Sequence, residues 1–238
     1  MNQRIALVTG ANKGIGKHIA RLLAAEGLTV YVGSRDPGRG QRAAEEIGTG
    51  ARPLVLDVTD PQTIAQAAAR LDRLDVLVNN AGISPSLTPP AETATDEFRR
   101  TYETNVFGVV AVTNAFLPAL RRSPHPRIVN VSSGTASLTW STGPNPQFTP
   151  GSGGAAAYRS SKAALNALTV LYAQTLAGDG FKVNALAPGL RATDLNPRAA
   201  QTGGDPAEAA LGAVRLALLP DDGPTGGFFS WDGTSVPW

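Results

Sequence analysis

Four short apolar runs in the first third of the chain are separated by stretches with helical periodicity. The runs are followed by Thr9, Ser34, Asp57 and Asn80. Such short, wholly apolar runs are typical of strands that are buried on both faces, so we predict parallel strands joined by right-handed helical crossovers. Because parallel strands end at one edge of a sheet, these four residues are expected on one rim, where such folds bind ligands.

The later part of the chain continues this alternation, with further strands expected at 127–131, 181–186 and 227–230. A length of 238 residues is usual for one α/β domain. We therefore expect residues 1–238 to form a single-domain Rossmann fold with a doubly wound, mostly parallel sheet of about seven strands.

An extended loop is expected at about 134–156, where glycine, proline, serine and threonine dominate. A segment of this composition does not fold alone, so we expect it to be irregular and to lie over the ligand site. Trp140 and Phe148 are its bulky apolar residues. They are interpreted as loop anchors, with substrate contact as the alternative.

Composition excludes several classes of function. The formal net charge is +2 and there is no Lys/Arg tract, so neither nucleic acid nor a membrane surface is an expected partner. The absence of cysteine excludes disulfides and thiolate metal ligands, and two histidines make a metal site unexpected. The N-terminus lacks a signal-peptide pattern, so a cytoplasmic location is expected.

A glycine-rich turn links the first strand to the first helix. Gly10, Gly14 and Gly16 allow the backbone to approach a ligand closely, and the helix N-terminus offers free N–H groups to an anion. A pyrophosphate would fit there. The spacing differs from G-x-G-x-x-G, so a plain structural turn is the alternative.

The residues after the second strand indicate which cofactor would bind. Ser34 is neutral where NAD-binding folds place an acid, whereas Arg35 and Lys13 could converge on a 2'-phosphate. This pattern favours NADP(H), and two solvated cations are the alternative. Asp36 could bind a ribose, but its place before Pro37 equally suits a helix cap.

Tyr158 and Lys162 lie four residues apart on a predicted helix and therefore on one face. A nearby ammonium favours the phenolate, so we expect the pKa of Tyr158 to be lowered and the residue to act as a proton donor. An exposed helical face is the alternative. Asn105, inside an apolar helical stretch that starts at Thr95, is either a satisfied structural residue or a site residue.

Taken in order, these motifs resemble the short-chain dehydrogenase/reductase family across nearly the whole chain. Residues 9–16 match T-G-x-x-x-G-x-G, 79–82 match N-N-A-G, 158–162 match Y-x-x-x-K, and Pro188-Gly189 match the P-G after the sixth strand. The resemblance implies a catalytic tetrad of Asn105, Ser133, Tyr158 and Lys162, in which family alignment selects Ser133 over Ser132.

The same resemblance implies a role for each member of the tetrad. Tyr158 would give a proton to a carbonyl oxygen as hydride arrives from the nicotinamide. Lys162 would lower the tyrosine pKa and bind the nicotinamide ribose. Ser133 would donate a hydrogen bond to the substrate oxygen, and Asn105 would order a water that links Lys162 to solvent.

The cofactor contacts are also implied by the resemblance. Asp57 would bind the adenine amino group, Val58 would flank the adenine, Asn80 would lie near its ribose, and Thr193 would bind the carboxamide. The complete expected set is Gly10, Asn12, Lys13, Gly14, Ile15, Gly16, Ser34, Arg35, Asp57, Val58, Asn80, Ala81, Gly82, Tyr158, Lys162, Pro188, Gly189 and Thr193.

Ser133 and Tyr158 are 25 residues apart, a wider separation than in many family members. With Lys13 and Arg35, this extension is similar to the NADPH-dependent carbonyl reductase branch, which includes plant ketone reductases. Members of that branch are often monomeric because the extension covers a helical face that otherwise dimerises. We therefore expect a monomer and keep a homo-oligomer as the alternative.

The expected activity is NADPH-dependent reduction of a ketone or aldehyde. The alternatives are an NAD(P)-dependent alcohol dehydrogenase working in oxidation and a cofactor-sensing protein without turnover, against which the presence of both Tyr158 and Lys162 argues. Pocket walls are expected from 84–92, 134–156 and 190–205. Arg191 and Arg198 are interpreted as solvated rather than as anion ligands, so an apolar carbonyl compound is the expected substrate.

Overall fold

The sheet has the predicted doubly wound arrangement. A computed structural model describes residues 3–145, 148, 153–195, 199 and 203–238. Within them, seven strands pair in the order β3-β2-β1-β4-β5-β6-β7, and every pairing is parallel. This confirms the predicted fold class. The strands are β1 Ile5–Val8, β2 Thr29–Ser34, β3 Ala51–Val55, β4 Val76–Asn79, β5 Arg127–Val131, β6 Lys182–Ala187 and β7 Phe228–Ser230.

Helices connect the strands and cover both faces of the sheet. Three of the described helices begin with an aspartate cap and a proline, and among these caps Asp36 accepts a hydrogen bond from the Arg39 N–H at 2.9 Å. The described helices are α1 Gly14–Ala25, α2 Pro37–Ile47, α3 Pro61–Ala69, α4 Thr95–Tyr102, α5 Gly108–Leu120, α6 Leu138–Thr142, α7 Ala156–Thr175 and α8 Pro206–Ala217.

The strands alternate between two apolar cores. Ala6 and Val8 of β1 face one core, to which α1 and α8 contribute Leu23 and Val214. Leu7 faces the other core, which contains side chains from α3, α5 and α7. Successive side chains on a strand point to opposite faces, so a wholly apolar strand needs helices on both sides.

The helical stretch that was predicted to start at Thr95 is interrupted. A π-helical turn, Glu103–Phe107, separates α4 from α5 and contains Asn105. Such a turn accommodates one extra residue in a helix and is frequent at functional sites. Helical periodicity in the sequence does not reveal it.

The segment from 134 to 156 is more ordered than expected. Helix α6 was predicted as irregular chain, and that prediction was wrong. Ser137 caps α6 by accepting a hydrogen bond from the Trp140 N–H at 3.0 Å, and Thr139 donates to the carbonyl of Trp238. Trp140 is buried in an apolar cluster that Phe148 also contacts, so both residues anchor the segment. Residues 146, 147 and 149–152 lie outside the described chain.

A buried polar network joins the sheet to two helices. Asn79 and Asn130 are register partners on β4 and β5, and Asn79 Nδ2 donates to Asn130 Oδ1 at 2.9 Å. Asn79 also donates to Thr113 of α5, and Asn130 donates to Thr169 of α7. All four residues are buried. The network therefore fixes the positions of α5 and α7 relative to the rim of the sheet.

Asn130→Ala should lower the free energy of unfolding by about 2 kcal/mol, because it removes two buried hydrogen bonds and leaves their partners short of one each. Urea denaturation would measure this change. The matched control is Asn114→Ala, which removes one exposed hydrogen bond to Tyr172 and should cost less than about 0.5 kcal/mol. Equal effects of the two substitutions would contradict a stabilising role for the network.

Candidate active site

The turn between β1 and α1 requires glycine at three positions. Gly10 and Gly14 have φ angles of +62° and +55°, which favour glycine. A Cβ atom on Gly16 would lie 2.4 Å from Asn80 Nδ2 and 2.7 Å from the Gly10 oxygen. Lys13 begins α1 without a side-chain cap, so the N–H groups of the first turn remain available to an anion. This cradle suits a pyrophosphate.

Two rim residues brace the turn. Thr9 Oγ1 accepts hydrogen bonds from the backbone N–H groups of Asn80 at 2.9 Å and Ala81 at 3.0 Å. In return, Asn80 Nδ2 donates to the Thr9 oxygen at 2.9 Å. The side chain of Asn80, a residue that was expected near the adenine ribose, therefore holds the glycine turn. Thr9 was placed on the rim from sequence, but its bracing role was missed.

The exposed cation Arg35 follows the end of β2. Ser34 is buried and donates to the Asp36 carbonyl at 2.8 Å. Arg35 is exposed and makes no hydrogen bond or ion pair with any residue in the described chain. The hydrogen bond from the Arg39 N–H lowers the pKa of Asp36, whose carboxylate caps α2. Asp36 thus takes the capping role that was one of its two interpretations.

Lys13 does not join Arg35. Its ammonium forms an ion pair with Asp194 at 2.8 Å, although it was expected to face a 2'-phosphate together with Arg35. Asp194 follows β6 and competes for the cation. Its neighbour Thr193 lies beside the turn, with Cγ2 3.5 Å from the position of a Cβ on Gly14. The chain after β6 therefore reaches the cofactor cradle.

Asp57 and Val58 complete the rim beyond β3. One carboxylate oxygen of Asp57 accepts hydrogen bonds from the N–H and the hydroxyl of Thr59, at 2.9 and 2.8 Å. A Cβ atom added to Gly108 would lie only 2.8 Å from the backbone oxygen of Val58. Val58 therefore packs against the start of α5. Both residues lie on the same rim as the glycine turn.

Ser133 and Tyr158 meet beyond β5. Ser133 is close enough to the Tyr158 phenol to favour its ionised form, and Ser133 Oγ also contacts the Thr135 hydroxyl at 2.8 Å. Ser132, by contrast, is buried and donates to Asn166 Oδ1 at 2.6 Å. Successive residues of an extended chain face opposite sides, so only Ser133 can share a substrate atom with Tyr158.

Lys162 places a buried ammonium next to this pair. The residue is 4% exposed, and Nζ donates to the Val131 carbonyl at 2.8 Å. Nζ lies 5.8 Å from the centroid of the Tyr158 ring. Burial disfavours the charged form and lowers the pKa of Lys162 to about 8.

The pKa of Tyr158 shifts in the direction opposite to the expectation. Burial raises it to about 12, and the neighbouring Ser133 lowers it by a smaller amount. The predicted lowering by Lys162 was wrong for this arrangement, because desolvation of the buried phenol has the largest effect on its pKa. Tyr158 is therefore a protonated hydroxyl, as a proton donor must be.

The Asn105 side chain is fully hydrogen-bonded. Its Nδ2 donates to the Ile83 carbonyl and to Ser161 Oγ, both at 2.9 Å, and its Oδ1 accepts from the Ile83 N–H at 2.9 Å. A Cβ on Gly82 would lie 3.2 Å from Asn105 Oδ1 and 3.4 Å from Lys162 Nζ. The side chain is thus a satisfied structural group within the site, which unites the two interpretations.

Arg191 is buried, and its interpretation as a solvated cation was wrong. Its guanidinium donates to the Pro188 carbonyl at 2.7 Å, pairs with Glu208 and stacks over the Trp231 ring at 4.3 Å. It therefore ties the P-G turn to α8 and to the chain after β7. Single-sequence reasoning could not see this because Glu208 and Trp231 are distant from Arg191 in the chain. Arg198 lies outside the described residues.

Comparison with known proteins identifies the family of the chain. The model of the short chain dehydrogenase family matches residues 4–203. The chain belongs to this family. This short chain dehydrogenase is 34% identical to (-)-isopiperitenone reductase from Mentha piperita, over 97% of each chain.

Solved structures show the same fold. The NADPH-bound carbonyl reductase from chicken fatty liver has a TM-score of 0.82 and 28% identity, over 100% of both chains. A 3-ketoacyl-(acyl-carrier-protein) reductase from Brucella melitensis, complexed with NADH, also has a TM-score of 0.82, with 26% identity over 95% of this chain and 96% of that one.

The lowered pKa of Lys162 can be measured without activity. This short chain dehydrogenase has four lysines, so lysine labelled with ¹³C at Cε gives a simple spectrum. One resonance should titrate with a midpoint near pH 8, the ammonium being charged below it and neutral above. That resonance should be absent from Lys162→Met and present in the control Lys182→Met. A midpoint for it near the ordinary value of about 10.4 would contradict burial as the cause.

Proposed function

We propose that the protein reduces the carbonyl group of a ketone or an aldehyde to an alcohol, using NADPH. One observation carries the proposal: a protonated Tyr158 hydroxyl lies next to Ser133 and beside the buried ammonium of Lys162. The group lies on the same rim as a turn that suits a pyrophosphate.

The chain's own residues then have defined tasks. Ser133 and Tyr158 both donate to the carbonyl oxygen, where negative charge develops, and Tyr158 transfers its proton to that oxygen. When bound, the nicotinamide supplies the hydride that the carbonyl carbon receives. Lys162 stabilises the tyrosinate that remains until a proton from solvent restores it. Asn105 holds Ile83 and Ser161 around this centre, and a water ordered by it would serve the proton return.

The relatives support an enzyme of this type. One is named a reductase, and the carbonyl reductase was solved with NADPH. The same residues run the reverse reaction, so an NAD(P)-dependent alcohol dehydrogenase is the second candidate. A related reductase, from Brucella melitensis, was solved with NADH, which supports NAD(H) as the cofactor of this second candidate. A cofactor sensor without turnover is disfavoured, because Ser133, Tyr158 and Lys162 are not only present but assembled.

NADPH is favoured over NADH by the charges after β2. Ser34 supplies no carboxylate, and Asp36 is engaged as a helix cap. Arg35 remains as the exposed cation for a 2'-phosphate. Lys13 is a secondary contributor at most, since it would have to leave Asp194.

An apolar carbonyl compound is the proposed substrate class. Each segment expected to form a pocket wall exposes at least one leucine, namely Leu87, Leu138, Leu190 and Leu195. Arg191, which could have bound an acidic substrate, is committed to the protein interior. These side chains suit a substrate without a fixed charge.

The proposal also covers location and assembly. None of the described helices is long and apolar enough to cross a bilayer, and a cytoplasmic location is proposed. For assembly, a monomer and a homo-oligomer are both carried forward. Phe107, at the end of the π turn, and Leu171, in α7, are each 56% exposed, which favours the homo-oligomer. Light scattering would give the mass in solution.

Tyr158→Phe should lower turnover of a ketone and aldehyde panel at least about a hundredfold, because the proton donor is lost. NADPH affinity, measured by fluorescence titration, should stay nearly unchanged. Tyr172→Phe is the control, since its hydroxyl contacts Asn114 far from the site, and it should retain wild-type turnover. Substantial residual activity in Tyr158→Phe would rule out the proposed acid.

Arg35→Asp should weaken NADPH binding at least about tenfold by removing a charge-assisted contact and adding repulsion. NADH binding should change little. Lys13→Met is the comparison and should cause a smaller loss, because its ammonium is paired with Asp194. Binding of NADH by the wild type that equals or exceeds the binding of NADPH would overturn the cofactor assignment. Substrates would then be sought among alcohols, with NAD as the cofactor.

A further inference from the structure

Two serines stand between the tyrosine and the lysine, and the Y-x-x-x-K pattern assigns neither a role. Ser160 is partly exposed, whereas Ser161 is fully buried. Both hydroxyls donate to carbonyls of the preceding turn of α7. Their surroundings otherwise differ, and this difference identifies one of them as part of the site.

Ser161 connects Tyr158 to the π turn. Its Oγ donates to the Tyr158 backbone oxygen at 2.7 Å and accepts a hydrogen bond from Asn105 Nδ2 at 2.9 Å. Asn105 in turn holds both backbone groups of Ile83. A continuous chain of hydrogen bonds therefore runs from the segment after β4, through the π turn, to the backbone of Tyr158.

Ser160 makes no such connection in the described chain. Its Oγ donates to the oxygens of Ala156 and Ala157, at 2.8 and 3.2 Å, which belong to its own helix. The two serines thus share residue type, helix and local bonding pattern. They differ in the link to another element, which only Ser161 provides, so Ser160 is a matched control.

Tyr158 needs such a link because it lies in the first turn of α7. Ala155, which precedes the helix, has a φ angle of +57° and provides no side-chain cap. The first turn of a helix frays unless it is held, and in α7 the Ala156 N–H donates to the Thr88 carbonyl at 3.2 Å. The hydrogen bonds through Ser161 hold the Tyr158 backbone at its carbonyl group.

We propose that Ser161 is a positioning residue, which fixes Tyr158 against Asn105 so that the phenol hydroxyl meets Ser133 and the substrate. This inference rests on the proposed reductase function. It assigns to Asn105 an influence on Tyr158 that is transmitted by the Ser161 hydroxyl. A small displacement of a reacting group is sufficient to slow a chemical step considerably.

The test compares Ser161→Ala with Ser160→Ala by steady-state kinetics on the ketone and aldehyde panel. Ser161→Ala should lower kcat about tenfold, the factor that corresponds to one positioning hydrogen bond. Its KM for NADPH should stay within about twofold of the wild-type value, because the cofactor cradle is untouched. With NADPH deuterated at the transferred position, the isotope effect on kcat should be at least as large as in the wild type. Ser160→Ala should match the wild type.

A double variant tests the route through Asn105. If Ser161 acts through that residue, adding Ser161→Ala to Asn105→Ala should cause little further loss of kcat. Full additivity would overturn the proposal, as would unchanged kcat in Ser161→Ala, an equal loss in Ser160→Ala, or loss of NADPH binding in Ser161→Ala. Absence of turnover in the wild type would instead overturn the reductase function and this inference together.

Discussion

The buried ammonium of Lys162 is the constraint around which the site is built. A cation that has lost its water needs hydrogen-bond acceptors close by, and the Val131 carbonyl at the end of β5 is one. Gly82 has no side chain to block its approach. Lys162 therefore fixes where β5, the segment after β4 and α7 can lie relative to one another. A site of this kind keeps its charge in place before any ligand arrives, which reduces the reorganisation that a reaction would otherwise require.

The sequence was sufficient for the architecture because the relevant signals are local. Short apolar runs alternating with helices specify a parallel sheet, and the residues that follow the strands must then share a rim. Thr9, Ser34, Asp57 and Asn80 could be placed together on that basis alone. The motif pattern added the pairing of Ser133 with Tyr158, which the structure brings into contact.

The features that sequence reasoning missed depend on distant contacts or on the balance of opposing effects. Arg191 looked like a surface cation because Glu208 and Trp231 follow it at a distance in the chain. Helix α6 lacks helical composition and depends on a contact with Trp238. For Tyr158 the neighbouring cation was visible in the sequence, but the loss of solvent around the phenol was not, and that loss determines the direction of the pKa shift.

The π turn at Glu103–Phe107 has an evolutionary consequence. Each residue of an α-helix advances by about 100° around the axis, so deleting one residue from this turn would restore α-helical register and rotate α4 relative to α5. Asn105 would then lose Ile83 and Ser161 together. A single-residue deletion here would be more damaging than most substitutions, and descendants of this chain should vary in sequence at this turn while keeping its length.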